Sequence, residues 1–140
     1  MKINITILTL FFFFFSKLSA GQIFIKIKNV QEKIGLIHFA IYDDPNFFPD
    51  KDGKKLGFKK DVNEVIQNGV TIDNLEESYY AIAIYHDKNS NGEFDTFFSI
   101  PKEMYGFSND APVFLGPPSF DEASFFVKNN EKVIIEISLR

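Results

Sequence analysis

Between Asp87 and Asp95 the chain carries oxygen-bearing side chains at alternate positions, in the pattern D-x-N-x-N-G-x-x-D. Calcium takes six to eight oxygen ligands from carboxylates, amides and backbone carbonyls. Asp87, Asn89, Asn91 and Asp95 would supply side-chain oxygens, and Glu93 its carbonyl. Gly92 stands where a calcium loop turns sharply. The first six residues match the start of an EF-hand loop. The twelfth position is Phe98 where a bidentate glutamate belongs, and an apolar strand precedes the loop instead of a helix. The expectation is therefore a weak, strand-flanked calcium site closed by a distant carboxylate, Glu103 or Asp110. The competing reading is a self-bonded turn, because Asp and Asn side chains bond their own backbone and Gly accepts positive φ.

Other chemistry has thinner support. His86 beside Asp87 suggests an acid–base pair, and His38 lies on another strand. Adjacent strand residues point to opposite faces, so His86 and Asp87 diverge if the strand runs that far, and a structural histidine is the plainer reading. Asp95 and Glu103 form a conceivable carboxylate pair. There is no Gly-rich phosphate loop, nucleophile elbow or H-E-x-x-H motif. No residue is assigned a catalytic role.

The elements that must position this loop read as strands. Ile23, Ile25 and Ile27 alternate with Lys26 and Lys28, and Val133, Ile135, Ile137 and Leu139 alternate with Glu136 and Ser138. That period of two marks half-buried strands. Leu36 to Tyr42 and Tyr80 to Tyr85 are apolar runs of the kind covered on both faces. Ser124 to Val127 is a short aromatic strand, and Asn129-Asn130 a turn. Asn29 to Gly35 is expected to join the first two strands as a hairpin. Asp43 to Lys60 reads as a long surface loop. Val62 to Val70 suits a short helix or a strand, and Asn68-Gly69 favours a hairpin leading into a strand at Val70 to Ile72. Thr96 to Pro118 is loop-like, with Phe97, Phe98, Tyr105, Phe107 and Phe114 arguing for packing. With no helix of convincing length, the fold class is all-β. It is an antiparallel β-sandwich, prealbumin-like or immunoglobulin-like, with long loops.

Lys2, the apolar run Ile5 to Phe15 and the small residues near Ala20 have the layout of a signal peptide over residues 1–20. The run is shorter than the roughly 20 residues that span a bilayer. Cleavage after Ala20 leaves Leu18 at the −3 position, and cleavage after Gly21 puts the smaller Ser19 there. Residues 21–140 then form one domain, exported to the periplasm or secreted, with no stable membrane span. Without Lys2 and Lys17 the domain has 13 basic and 19 acidic side chains, a net charge of −6. That argues against a nucleic-acid partner. The chain has no cysteine, which excludes disulfides and thiol chemistry.

The stretch Tyr80 to Val127 resembles the bacterial family called domain of unknown function 2141. The matching blocks are Tyr80 to Ala83, His86 to Asp95, Ile100 to Asn109 and Pro118 to Ala123, followed by the strand Val133 to Leu139. Two positions depart from the family pattern: Ser78 and Ser99 stand where glycines are usual. The resemblance implies an exported protein and carries no activity. The turn before the tyrosine strand is similar to that of prealbumin-like and Cna-B-like sandwiches. The reading is a non-enzymatic binding or accessory domain with an unknown envelope or extracellular partner. The alternatives are a hydrolase of envelope polymers using His86, Asp95 or Glu103, and a structural envelope module.

Overall fold

A computed structural model describes residues 19–140. The segment read as a signal peptide lies outside the described residues apart from its last two positions. Two sheets stack face to face. The first has the order β10(Lys132–Ser138), β1(Gly21–Lys28), β4(Val70–Leu75). The second runs β3(Leu56–Asp61), β2(Leu36–Tyr42), β5(Ser78–Asp87), β8(Tyr105–Phe107), with β9(Phe125–Val127) also paired to β5. Among the described residues no helix is long and apolar enough to cross a membrane.

The all-β sandwich follows from the alternation in the strands. Ile23 and Ile25 on β1, Ile135 and Ile137 on β10, and Val70 and Ile72 on β4 face Ile37, Phe39 and Ile41 on β2 and Tyr80, Ile82 and Ile84 on β5 in one buried core. Pairing is antiparallel except for β1 with β10, which is parallel, Gln22 opposite Lys132 through Lys28 opposite Ser138. Within this antiparallel β-sandwich one detail goes beyond the expectation: the first sheet is mixed. A period of two fixes which face is buried and is silent on strand direction.

Four expectations are corrected. Asn29 to Gly35 is not a hairpin, because β1 and β2 lie in different sheets. It crosses between the layers, and Gly35, at φ 83, presses so close to Asp87 that a Cβ would lie 2.2 Å from its carbonyl oxygen. The expected loop Asp43 to Lys60 contains most of β3, paired to β2 with Ile41 opposite Leu56. β3 is an edge strand carrying Lys59 and Lys60, and such charge obscures the strand signal while discouraging edge-to-edge pairing. Asn68-Gly69 closes a helix, α1(Val62–Asn68), instead of a hairpin. The Asp61 carboxylate accepts from the Asn63 and Glu64 N–H groups, and Val62 and Val65 are buried, three residues apart on one helix face. Gly69 ends the helix at φ 65, ψ −167, a region open to glycine. Lastly, Thr96 to Pro118 is only partly packed. It forms a small hairpin, β6(Thr96–Phe97) with β7(Ile100–Pro101), then β8 and a 3₁₀ turn at Ser108–Asp110. Phe107 is buried, yet Phe97, Phe98 and Phe114 are exposed.

A second cluster covers part of the outer face of the larger sheet. Tyr42, Ala81, Phe107, Ala111, Phe120 and Ala123 pack there, under α2(Phe120–Ala123). Ser108 ties this layer to the sheet. Its buried hydroxyl accepts from the Ile82 N–H at 2.8 Å and donates to the Ala123 carbonyl. The cluster stops short of the other end of that face, and there the sheet lies open.

Candidate functional site

The open end is a groove of about 910 Å³ on the outer face of the larger sheet. Its floor follows from register. Ala40 pairs with Gly57 on one side and Ala83 on the other, so three small residues lie in a row across β3, β2 and β5. Aromatic rings surround this floor in near-continuous contact. His38 stacks on Tyr85 with ring centres 4.5 Å apart. Tyr85 meets Phe94 at 5.3 Å, Phe94 meets Tyr105 at 6.0 Å, and Tyr105 meets Phe107 at 6.1 Å. Phe107 meets Phe48, which meets Tyr42 at 5.2 Å. The apolar runs of β2 and β5, expected to be covered on both faces, are so covered only toward Tyr42 and Ala81.

The Asp87–Asp95 loop forms one wall, contributing Gly92, Glu93 and Phe94. Strand β5 extends to Asp87, so His86 and Asp87 diverge as expected. His86 enters the interior, where Nε2 donates to the Ile34 carbonyl at 2.7 Å and Nδ1 is buried without a hydrogen-bond partner. Asp87, fully buried, turns to the groove face and into its own loop. Its Oδ1 accepts from the Asn91 N–H at 3.1 Å, and its Oδ2 from the Gly92 N–H at 2.9 Å and from His38 Nε2 at 3.1 Å. Burial pushes the Asp87 carboxyl upward; the Gly92 and Asn91 N–H groups and His38 together outweigh it, and the net shift is below the ordinary 3.8.

The remaining loop residues satisfy one another. Asn89 Oδ1 accepts from the Asn91 N–H, and Asn91 Oδ1 from the Glu93 N–H. These bonds leave both amide NH₂ groups facing Asp95, at 2.8 Å from Asn89 and 3.3 Å from Asn91. Glu93 extends outward to Lys51 at 3.1 Å. Glu103 closes the loop from below, accepting from the Lys88 N–H at 3.3 Å and the Asp95 N–H at 3.1 Å. Asp110 lies elsewhere, bonded to Ser138. The structure thus gathers Asp87, Asn89, Asn91, Asp95 and Glu103 at one turn. Among the described residues no three His, Asp or Glu side chains are arranged as a metal would require.

Two tyrosines of the groove are held in their neutral form. Burial, helped by Asp87, Glu103 and Glu93, pushes the Tyr85 phenol up to about 12, and its hydroxyl donates to the Gly92 carbonyl. Burial and Asp50 do the same to Tyr42, also up to about 12. Both stay protonated at neutral pH. Of the three hydrolase candidates, none lines the groove. His86 is committed to a backbone carbonyl on the inner face, Asp95 to two amides and Glu103 to two backbone N–H groups.

Two features escaped the sequence. His38, not His86, is the histidine at Asp87; the pairing of Leu36 with Asp87 brings it there. The groove floor is built from alanines that look like ordinary strand residues.

The family described as "Uncharacterized protein conserved in bacteria (DUF2141)" matches residues 25–135. The chain belongs to that family. No curated protein matches it, and neither does any solved structure. In this DUF2141 chain, one of the two serines at expected glycine positions is under conformational strain. Ser99 takes φ 63 in the β6–β7 turn, which costs a non-glycine residue about 1 kcal/mol. The other, Ser78, sits in the β5–β9 ladder opposite Val127.

Proposed function

We propose that this is an exported bacterial protein, periplasmic or secreted, whose single domain binds a small apolar ligand in the groove without transforming it. The observation that carries this reading is the row of small residues, Gly57, Ala40 and Ala83, inside a belt of aromatic rings. Small side chains there leave room above the sheet that larger ones would fill. A groove of about 910 Å³ falls within the range of small-molecule sites, roughly 300–1,000 Å³. The lining carboxylate, Glu93, is exposed and paired with Lys51, which supports binding over hydrolysis. Titration with phenylnaphthylamine, a neutral dye that brightens in apolar surroundings, tests this: the dye should bind saturably. Failure to brighten would remove the groove as a ligand site.

The export half of the proposal has its own test. N-terminal sequencing of protein recovered from the periplasm or the medium of an expressing bacterium should begin at Gly21 or Gln22. An intact Met1 on the recovered protein would overturn it.

Calcium at Asp87, Asn89, Asn91, Glu93 and Asp95 is the second reading. One observation favours it: the Asp87, Asp95 and Glu103 carboxylates meet at one loop, and among the described residues none accepts from a lysine or arginine side chain. Against it, both asparagine amides would have to swing their oxygens toward Asp95 and give up the bonds to Asn91 and Glu93. The self-bonded turn therefore leads. Melting in millimolar calcium and in EDTA should agree within about a degree. A rise of several degrees, lost in Asp87→Asn/Asp95→Asn, would establish the calcium site instead.

A further inference from the structure

We infer that the groove selects a planar aromatic anion, with its acidic group at the β3 edge; this rests on the groove being a ligand site. The shape comes from the floor. Ala40 and Ala83 leave the pleated sheet bare across two strands, and the Lys54 stem borders this floor where it lies over Gly57; a flat ring system lies on such a surface where a branched body would stand off. The edges of Phe94, Tyr105 and Phe107 then meet it from the sides, and rings prefer edge-to-face and offset contacts.

The charge comes from the β3 side of the groove, lined by Lys51, Lys54 and Lys59, while the carboxylates Glu93, Asp87 and Glu103 gather at the other wall beside Tyr85. The domain as a whole carries more acidic than basic side chains, so this local excess of positive charge runs against its composition. Lys51 is neutralised by Glu93. Among the described residues, neither Lys54 nor Lys59 pairs with a carboxylate. The Lys54 stem lies over Gly57, whose added Cβ would meet Lys54 Cε at 2.4 Å, and its ammonium donates to the Lys51 carbonyl. Lys59 stands opposite His38 on the same face. Two ammonium groups at one end of an apolar slot would hold a carboxylate or sulfonate while its rings stay out of water.

A matched pair of dyes separates the claims. Anilinonaphthalene sulfonate and phenylnaphthylamine share one ring system, and only the first bears an acid. The ratio of their affinities, sulfonate over neutral dye, should fall by about tenfold in Lys54→Glu/Lys59→Glu and should fall with added salt, the ratio cancelling any change in the apolar floor that both dyes share. An unchanged ratio in a variant that still binds phenylnaphthylamine would overturn the anion preference and leave the groove standing. If neither dye binds the native protein, the ligand site itself is lost and this inference with it. Lys59 lies on the edge strand β3 and Lys54 just before it, both exposed, and an unaltered melting temperature in the double variant would establish that the fold is intact; Lys59→Gln is the milder substitution should it fall.

Discussion

Replacing Asp87 by alanine should lower the stability of the domain by about 3–5 kcal/mol, because each buried donor left without its acceptor costs about 1–3 kcal/mol. The Asp87 carboxylate accepts from the Asn91 and Gly92 N–H groups and from His38. Alanine would strip the acceptor from all three. In a chain of this length the melting temperature should fall by roughly 10–20 °C. The loss has a pH signature. The folded-state pKa of Asp87 is lowered from 3.8. Its ionised form therefore contributes stability that is fully present above that ordinary value and disappears as pH falls through the lower folded value. The gap between native protein and Asp87→Ala should accordingly be wide at neutral pH and shrink in strong acid. Melting temperatures within a couple of degrees of each other at neutral pH would mean that the loop is held by other groups.

Filling the groove should abolish binding without unfolding the protein. Ala83 is half-buried, and its side chain points from β5 onto the groove floor. Leucine there occupies the space where a ring would lie, and clashes of this kind reject ligands strongly while leaving the core untouched. Affinity for phenylnaphthylamine should drop by about 100-fold or more, near the upper end of what one misplaced side chain does in a hydrophobic pocket. The melting temperature should move by only a few degrees, because the new side chain is packed by Tyr85 and Tyr105 and not forced into the sandwich. Ala40→Leu, on the neighbouring strand, should act alike. Full affinity in both variants would place the dye elsewhere on the molecule and defeat the proposed site.

The smaller sheet was legible because a period of two along Ile23 to Ile27 and Val133 to Leu139 reports directly which side chains leave water, and the central strands of the larger sheet showed as the apolar runs Leu36 to Tyr42 and Tyr80 to Tyr85. Partners were not legible. Nothing in Asn29 to Gly35 says that β1 will join the last strand of the chain, as it does. At Asn68-Gly69 a strong local turn signal was overridden by the Asp61 cap and the burial of Val62 and Val65. The acidic loop was found from spacing, which fixes neighbours. Whether an asparagine shows its oxygen or its nitrogen to Asp95 depends on which backbone N–H groups the oxygens have already bonded, and spacing does not record that. The groove was invisible for a different reason. Ala40 and Ala83 matter through what they leave unfilled, and an unfilled position resembles any other alanine in a strand until register places Gly57 beside it.

The parallel pairing of β1 with β10 also has a mechanical consequence. The seven paired positions run from Gln22–Lys132 to Lys28–Ser138 in the same direction. Tension between the start of β1 and the end of β10 therefore pulls along the strands and loads all the rungs of this ladder together. Antiparallel neighbours, gripped at adjacent ends, would peel apart one rung at a time. A chain pulled from both sides would resist as a shear clamp, and its sandwich, groove included, would stay shut until the whole ladder slipped at once.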